Sequence, residues 1–166
     1  MSDPRRYLVA LAGTEDSALP QRIDRVLGTG DSAVEITLFH VVETGPRELA
    51  AYHPAVRRGH WPLPNKDVIE HRLEDADDEE AAALLAVWQE RFEAALPGAR
   101  IAGLVAQGRP EQEIIASAGR LNVDAVILSA RPRTGPTEPG PRSVGHVARF
   151  VLDHSPVPVL LVRHSR

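Results

Sequence analysis

The residues best suited to chemistry gather late in the chain. Arg131, Arg133, Arg142 and Arg149 crowd a loop and the helix that follows it, and Gly145-His146-Val147 stands at the start of that helix. A helix amino terminus carries partial positive charge, and guanidinium groups offer bidentate donors, so this arrangement suits an anion. His146 is also a candidate general base near neutral pH, with Glu15 or Asp16 as its carboxylate partner. No nucleophile elbow, P-loop or metal-ligand spacing accompanies it. The residues therefore favour a polar side chain lining a helix start, and the chain is expected not to be an enzyme. No residue is assigned as catalytic or as a metal ligand.

The remaining histidines add little. His53 and His60 have no partners at metal-ligand spacing, and the absence of cysteine excludes thiolate zinc sites, disulfides and a cysteine nucleophile. His40 has uniformly apolar flanks and reads as a hydrogen-bonded core or strand-end residue. Trp61, beside Pro62 and Pro64, either anchors a partner or folds back on the helix containing Trp88.

Charge and composition narrow the classes further. The formal net charge of −4 conceals an acidic run, Glu70, Glu74, Asp75, Asp77, Asp78, Glu79 and Glu80, which reads as a solvated helix start. Only seven residues are Phe, Trp or Tyr, so the chain lacks the basic stripe and stacking platform of a nucleic-acid binder. No apolar run approaches the roughly 18 residues that span a bilayer. Met1 to Arg6 lead straight into a strand-like run with no apolar signal core, which predicts a cytoplasmic protein. At 166 residues the expectation is a single domain over 1–166, with no nucleic-acid or membrane partner.

The elements that must position these residues alternate between short apolar runs and helical patterns. Tyr7 to Ala12 is the first strand, and Gly13-Thr14-Glu15-Asp16-Ser17 turns the chain into a helix from Pro20 to Leu27, closed by Gly28. Val34 to Val42 is the second strand. Thr44 to Lys66, with four prolines and two glycines, is a long loop excursion with one helical turn at Glu48 to Tyr52. From about Asp75 to Leu96, Ala81, Leu84, Leu85, Trp88, Phe92, Ala95 and Leu96 recur at helical spacing, and Pro97-Gly98 ends that helix.

Arg100 to Ala106 is the third strand. Gly108-Arg109-Pro110 opens a helix with Ile114, Ile115 and Ala118 inward, ending near Leu121, and Asp124 to Ser129 is the fourth strand. The loop from Ala130 to Arg142 leads to a helix from about Ser143 to His154 with Val144, Val147, Val151 and Leu152 as its buried stripe. Val157 to Arg163 is the last strand, and Pro158 marks an edge or a strand end. Right-handed crossovers then give an α/β fold, a three-layer α/β/α sandwich on a five-stranded parallel sheet. Ligands bind such sheets beyond the carboxyl ends of the strands where the winding reverses, here between the Ala12-Gly13 turn and the Ser129 to Arg142 loop.

These residues resemble the universal stress protein family. Leu8-Val9-Ala10-Leu11-Ala12-Gly13-Thr14 is similar to its first strand and turn, I-L-V-P-V-D-G-S, and Phe39-His40-Val41-Val42 to its second-strand ending L-H-V-V. Gly108-Arg109-Pro110, Glu113-Ile114-Ile115 and Asp124-Ala125-Val126-Ile127-Leu128 follow its G-x-P, I and D-hhhh sequence, and Gly145-His146-Val147 with Pro158-Val159-Leu160-Leu161-Val162 its closing G-S-V and P-V-L-V-V. The resemblance implies strand order 3-2-1-4-5, a Rossmann-like fold of the adenine nucleotide alpha hydrolase-like kind, and a nucleotide site. That site would fall on Ala12, Gly13, Thr14, Val41, Gly108, Ser129, Arg131, Gly135, Gly145, His146 and Val147.

The chain departs from the binding members' G-x2-G-x9-G-(S/T) pattern. Ser129 and Pro132 stand at the first two glycines, and 12 residues separate Pro132 from Gly145. Counting back from Gly145 places Gly135 at the nine-residue spacing. Proline donates no amide hydrogen, His146 replaces the phosphate-side hydroxyl, and the family's strand-one acid falls on Ala12. Two readings follow. One is a non-enzymatic stress-response or regulatory module whose ATP binding is weakened or lost. The other is an ATP- or AMP-binding sensor using a rearranged arginine-rich loop. The apolar last strand, as a sheet edge, invites pairing with a second chain, and the resemblance implies the same, a homodimer through Val157, Val159, Leu160, Leu161 and Val162; the regulatory-module reading adds a regulatory protein partner.

Overall fold

The computed structural model describes residues 3–28, 33–43, 66–130 and 144–163. In chain order these form β1 (Arg5–Leu11), α1 (Leu19–Leu27), β2 (Val34–Glu43), α2 (Lys66–Ala95), β3 (Ala99–Gly108), α3 (Pro110–Arg120), β4 (Ala125–Ser129), α4 (His146–His154) and β5 (Val159–Val162). The strands form one parallel sheet in the order β3-β2-β1-β4-β5, as the resemblance implied. The winding runs outward from β1 to β3 and then resumes on the other side of β1. The reversal therefore lies between β1 and β4.

Strand periodicity divides the core in two. Tyr7, Val9 and Leu11 of β1 point to the same face as Val34, Ile36 and Leu38 of β2, where Leu19 and Ile23 of α1 and Leu85, Trp88 and Phe92 of α2 cover them. Leu8 of β1 and Phe39 of β2 point the other way, against Ile114 and Ala118 of α3 and Ala148 and Val151 of α4. A strand covered on both faces has no solvent side, so β1 reads as a continuous apolar run. Each large side chain so buried contributes roughly 1.5–3 kcal/mol.

Local signals end the elements. Pro20 lies in the first turn of α1, and Gly28 closes the helix in the left-handed region at φ 59°, its N–H donating to the Asp24 carbonyl. At the amino end of the sheet the Arg6 N–H donates to Asp124 Oδ2 at 2.7 Å, and the Asp124 N–H returns to the Arg6 carbonyl at 2.8 Å. No described helix is long and apolar enough to cross a membrane.

Several boundaries differ from the sequence reading: β1 runs from Arg5 to Leu11 and not from Tyr7 to Ala12, β2 ends at Glu43 and not Val42, and β4 begins at Ala125 and not Asp124. Helix α2 begins at Lys66, where the sequence placed the end of a loop, and not near Asp75. Residues 66–74 contain no proline or glycine to break a helix, but they carry no sustained apolar stripe to reveal one. Strand β3 continues to Gly108 because it pairs with β2 as far as Glu43. Helix α4 starts at His146, and its inward positions include Ala148, whereas Leu152 is exposed. Strand β5 is confined to four residues: the Ser155 hydroxyl holds the backbone of Val157, and Pro158 has no N–H for a ladder. The Pro158 carbonyl still accepts from the Val126 N–H at 2.9 Å, so the proline sits at the strand's end on the sheet edge. The helical turn expected at Glu48 to Tyr52, and the placement of Trp61, lie outside the described residues.

Candidate functional site

The reversal of the winding places two segments beside one another: the turn after β1 and the end of β4. At the first, Ala12, Gly13 and Thr14 are exposed. Gly13 has φ +83°, a conformation that L side chains rarely adopt, so the glycine is needed for the chain to leave the strand here. The backbone donors of this turn have a partner from the chain itself. Glu15 Oε1 accepts from the Ala12 N–H at 2.6 Å, and Oε2 accepts from the Gly13 N–H at 2.8 Å. The next acceptor back is also engaged, since His40 Nδ1 lies 2.8 Å from the Leu11 carbonyl. A carbonyl only accepts, so Nδ1 carries the hydrogen. His40, within β2, thus joins that strand to the end of β1.

Asp16 is occupied elsewhere. Its Oδ1 accepts from the Ala18 N–H at 2.9 Å and its Oδ2 pairs with Arg22. Arg22 in turn donates to the Arg163 carbonyl at 2.7 Å, tying α1 to the chain just beyond β5. Val41 lies one position past the residue paired with Leu11 and is half-buried against the α3 and α4 side of the core.

At the second segment Ser129 is half-buried and pairs in register with Val162, and the Ala130 N–H donates to the Val162 carbonyl at 2.8 Å. Arg131, Pro132, Arg133, Gly135 and Arg142 lie outside the described residues. The chain is described again at α4, where Gly145 is the amino-terminal cap at φ 96° and ψ 156°, with no side chain capping the helix. Only glycine adopts that conformation readily. The His146 side chain is 76% exposed and its Nε2 lies 4.0 Å from Glu111 Oε1. Val147 is half-buried against the core.

Glu111 is buried, with a side chain only 5% exposed, in the first turn of α3, where its charge faces the positive end of the helix dipole. Arg109 Nη2 pairs with its Oε1 at 2.6 Å. The carboxylate beside His146 is therefore Glu111, and not Glu15, which is bonded to the Ala12 and Gly13 amides, or Asp16, which is bonded to the Ala18 amide and Arg22. Gly108 ends β3, the strand on the far side of β2 from β1, with φ +143° and Glu113 so close that a Cβ would meet its side chain at 3.1 Å. Among the described residues no group of acids and histidines is arranged to hold a metal ion.

The structure thus brings Ala12, Gly13 and Thr14 together with the Ser129 end of β4 across the reversal of the winding, and Gly108 stands one strand beyond β2. Two contacts were not legible as such. Glu15 occupies the amides after β1, a position hinted at only by its reach of three residues back to Ala12. Glu111 meets His146 through the packing of α3 against α4, which no local spacing announces.

Strand β5 forms one edge of the sheet. Val159 and Leu161 pack toward the α3 and α4 core, while Leu160 and Val162 pack toward the α1 and α2 core. What the strand offers outward is its backbone edge, and Val157 precedes it in the turn held by Ser155.

Solved structures share this architecture. The hypothetical protein MJ0577 is 20% identical, with 98% of this chain and 97% of that chain covered at a TM-score of 0.70. Universal stress protein UspA from Lactobacillus plantarum is 20% identical, with coverages of 98% and 100% and a TM-score of 0.65. A universal stress protein family protein from Arabidopsis thaliana with AMP bound is 17% identical, with coverages of 98% and 93% and a TM-score of 0.61. At such identities the likeness speaks for the fold alone. No curated protein matches the chain in sequence. The model of the universal stress protein family does match it, over residues 5–163, and the chain belongs to that family.

Proposed function

We propose that this chain serves in the cytoplasm as a non-enzymatic stress-response and regulatory module, a homodimer whose adenine-nucleotide binding is weakened. The observation that carries the reading is the end of β1. Position 12 offers a methyl group where the family's pattern has an acid, and the Ala12 and Gly13 amides are already bonded by Glu15. A ligand arriving there gains no acceptor and competes for the donors. Each lost contact to a charged group costs about 1.5–3 kcal/mol, or about ten- to a hundredfold in affinity.

Solved relatives with AMP, cAMP and dAMP make adenine nucleotides the ligands to try. In titration calorimetry with AMP, cAMP and ATP we expect dissociation constants above roughly 100 μM. Binding in the low micromolar range overturns this reading. It would leave instead a nucleotide sensor built on the arginine-rich loop, a reading that Gly135 at the nine-residue spacing from Gly145 favours.

Support for the homodimer is the edge position of β5. A parallel sheet ending in an apolar strand leaves backbone groups that a second copy can pair, about a two-fold axis near Val159 to Leu161. Light scattering at micromolar concentration is expected to give twice the mass of one chain, and a single-chain mass refutes the assembly.

A further inference from the structure

We infer that the paired amides of Ala12 and Gly13 are an anion-binding site that Glu15 fills from within the chain, so that a carboxylate- or phosphate-bearing ligand enters the crevice by displacing the Glu15 side chain. The inference rests on the reading of weakened nucleotide binding and gives it a cause.

Three observations carry it. The contact is bidentate, each carboxylate oxygen taking one amide, at 2.6 and 2.8 Å. These are the short distances of hydrogen bonds to a charged acceptor. Successive N–H groups converging on one acceptor make the same kind of concavity that backbones use to hold phosphate and other anions. The amides also belong to exposed residues at the carboxyl end of β1, beside the reversal of the winding where sheets of this kind take their ligands.

The third observation is the contrast with the neighbouring acid. Asp16 is held by Arg22 and by the Ala18 amide, in a link that reaches across to Arg163. Among the described residues Glu15 has no cation and hydrogen-bonds only the two amides, and it is partly exposed. Among the described residues, rotating its side chain away breaks no other hydrogen bond or ion pair. It is a removable occupant, whereas Asp16 is part of the frame.

Amide-resolved NMR of the full chain and of Glu15→Ala tests this, with acetate, inorganic phosphate and AMP as probes. In wild type the Ala12 and Gly13 amide signals should move only at acetate or phosphate concentrations at least about tenfold higher than in Glu15→Ala, because the anion must first displace Glu15. In Glu15→Ala they should start upfield, on losing the charged acceptor, and move downfield with saturation by either anion. A response to acetate alone assigns a carboxylate ligand, and a response to phosphate alone assigns a phosphorylated one. AMP should bind Glu15→Ala at least about tenfold more tightly than wild type, with Glu15→Gln between them. Amides of a folded Glu15→Ala that ignore both anions overturn the inference. Tight AMP binding by wild type is a different failure: it removes the reading of weakened binding and leaves the amide test standing.

Discussion

The two sides of the crevice solve the same electrostatic problem differently. After β1, exposed backbone donors are covered by a carboxylate three residues along the chain, in two short bonds. At the start of α4, the charged group that approaches comes from another helix: Glu111 stands 4.0 Å from His146 and is held by Arg109. The first arrangement is local and partly exposed. The second depends on α3 and α4 packing together around Ile114, Ala118, Ala148 and Val151. A contact made within one turn can open without disturbing the core, whereas one carried on two packed helices is as rigid as their interface.

Parallel substitutions sharpen that contrast. Gly145→Ala should cost the most, about 1–3 kcal/mol in urea denaturation, because φ 96° with ψ 156° is a conformation open essentially to glycine alone. Gly13→Ala should cost less, about 1–2 kcal/mol, since φ +83° is strained for alanine but its Cβ would meet only Leu84 at an ordinary 3.7 Å. A Gly13→Ala penalty larger than that of Gly145→Ala would show that the β1 turn is the stiffer side and break the comparison.

Glu111→Gln should have the smallest effect, a loss of about 0.5–1 kcal/mol in the same denaturation. It keeps the shape of the buried side chain but removes its interaction with the helix dipole and with Arg109, whose side chain is 66% exposed and screened by solvent. A cost of several kcal/mol would mean that the buried charge organises the α3 and α4 starts far more than its two partners indicate.

The fold was legible wherever burial imposed a period. The stripe from Ala81 to Leu96 located the covering half of α2, and the apolar run in β1 marked a strand with helices on both sides. The first turns of α2 carry no such stripe, so their helical state left no trace in the pattern of apolar residues. Leu152 shares a helix face with Ala148, one turn earlier, yet in the last turn of α4 it is exposed while Ala148 is buried on the core. For the site, where Gly13 and Gly145 both have positive φ in the structure, the sequence located the turn after β1 at Gly13 and placed the start of α4 about three residues early, at Ser143. It left the partners unread. Glu15 is bound by backbone, which has no sequence signature, and Glu111 reaches His146 only through the tertiary packing of two helices.

The unlike borders of the sheet bear on how the molecule can associate. One border is β3, ten residues long, from which Arg100 projects with 87% of its side chain in water; the other is β5, four apolar residues stopped by a proline. A filament would require the short margin of each copy to dock on the long margin of the next, where Arg100 stands as the one charged residue. Those margins differ in length, ten residues against four, so repeated head-to-tail growth leaves much of each β3 unpaired, whereas joining two identical margins is a step that closes on itself.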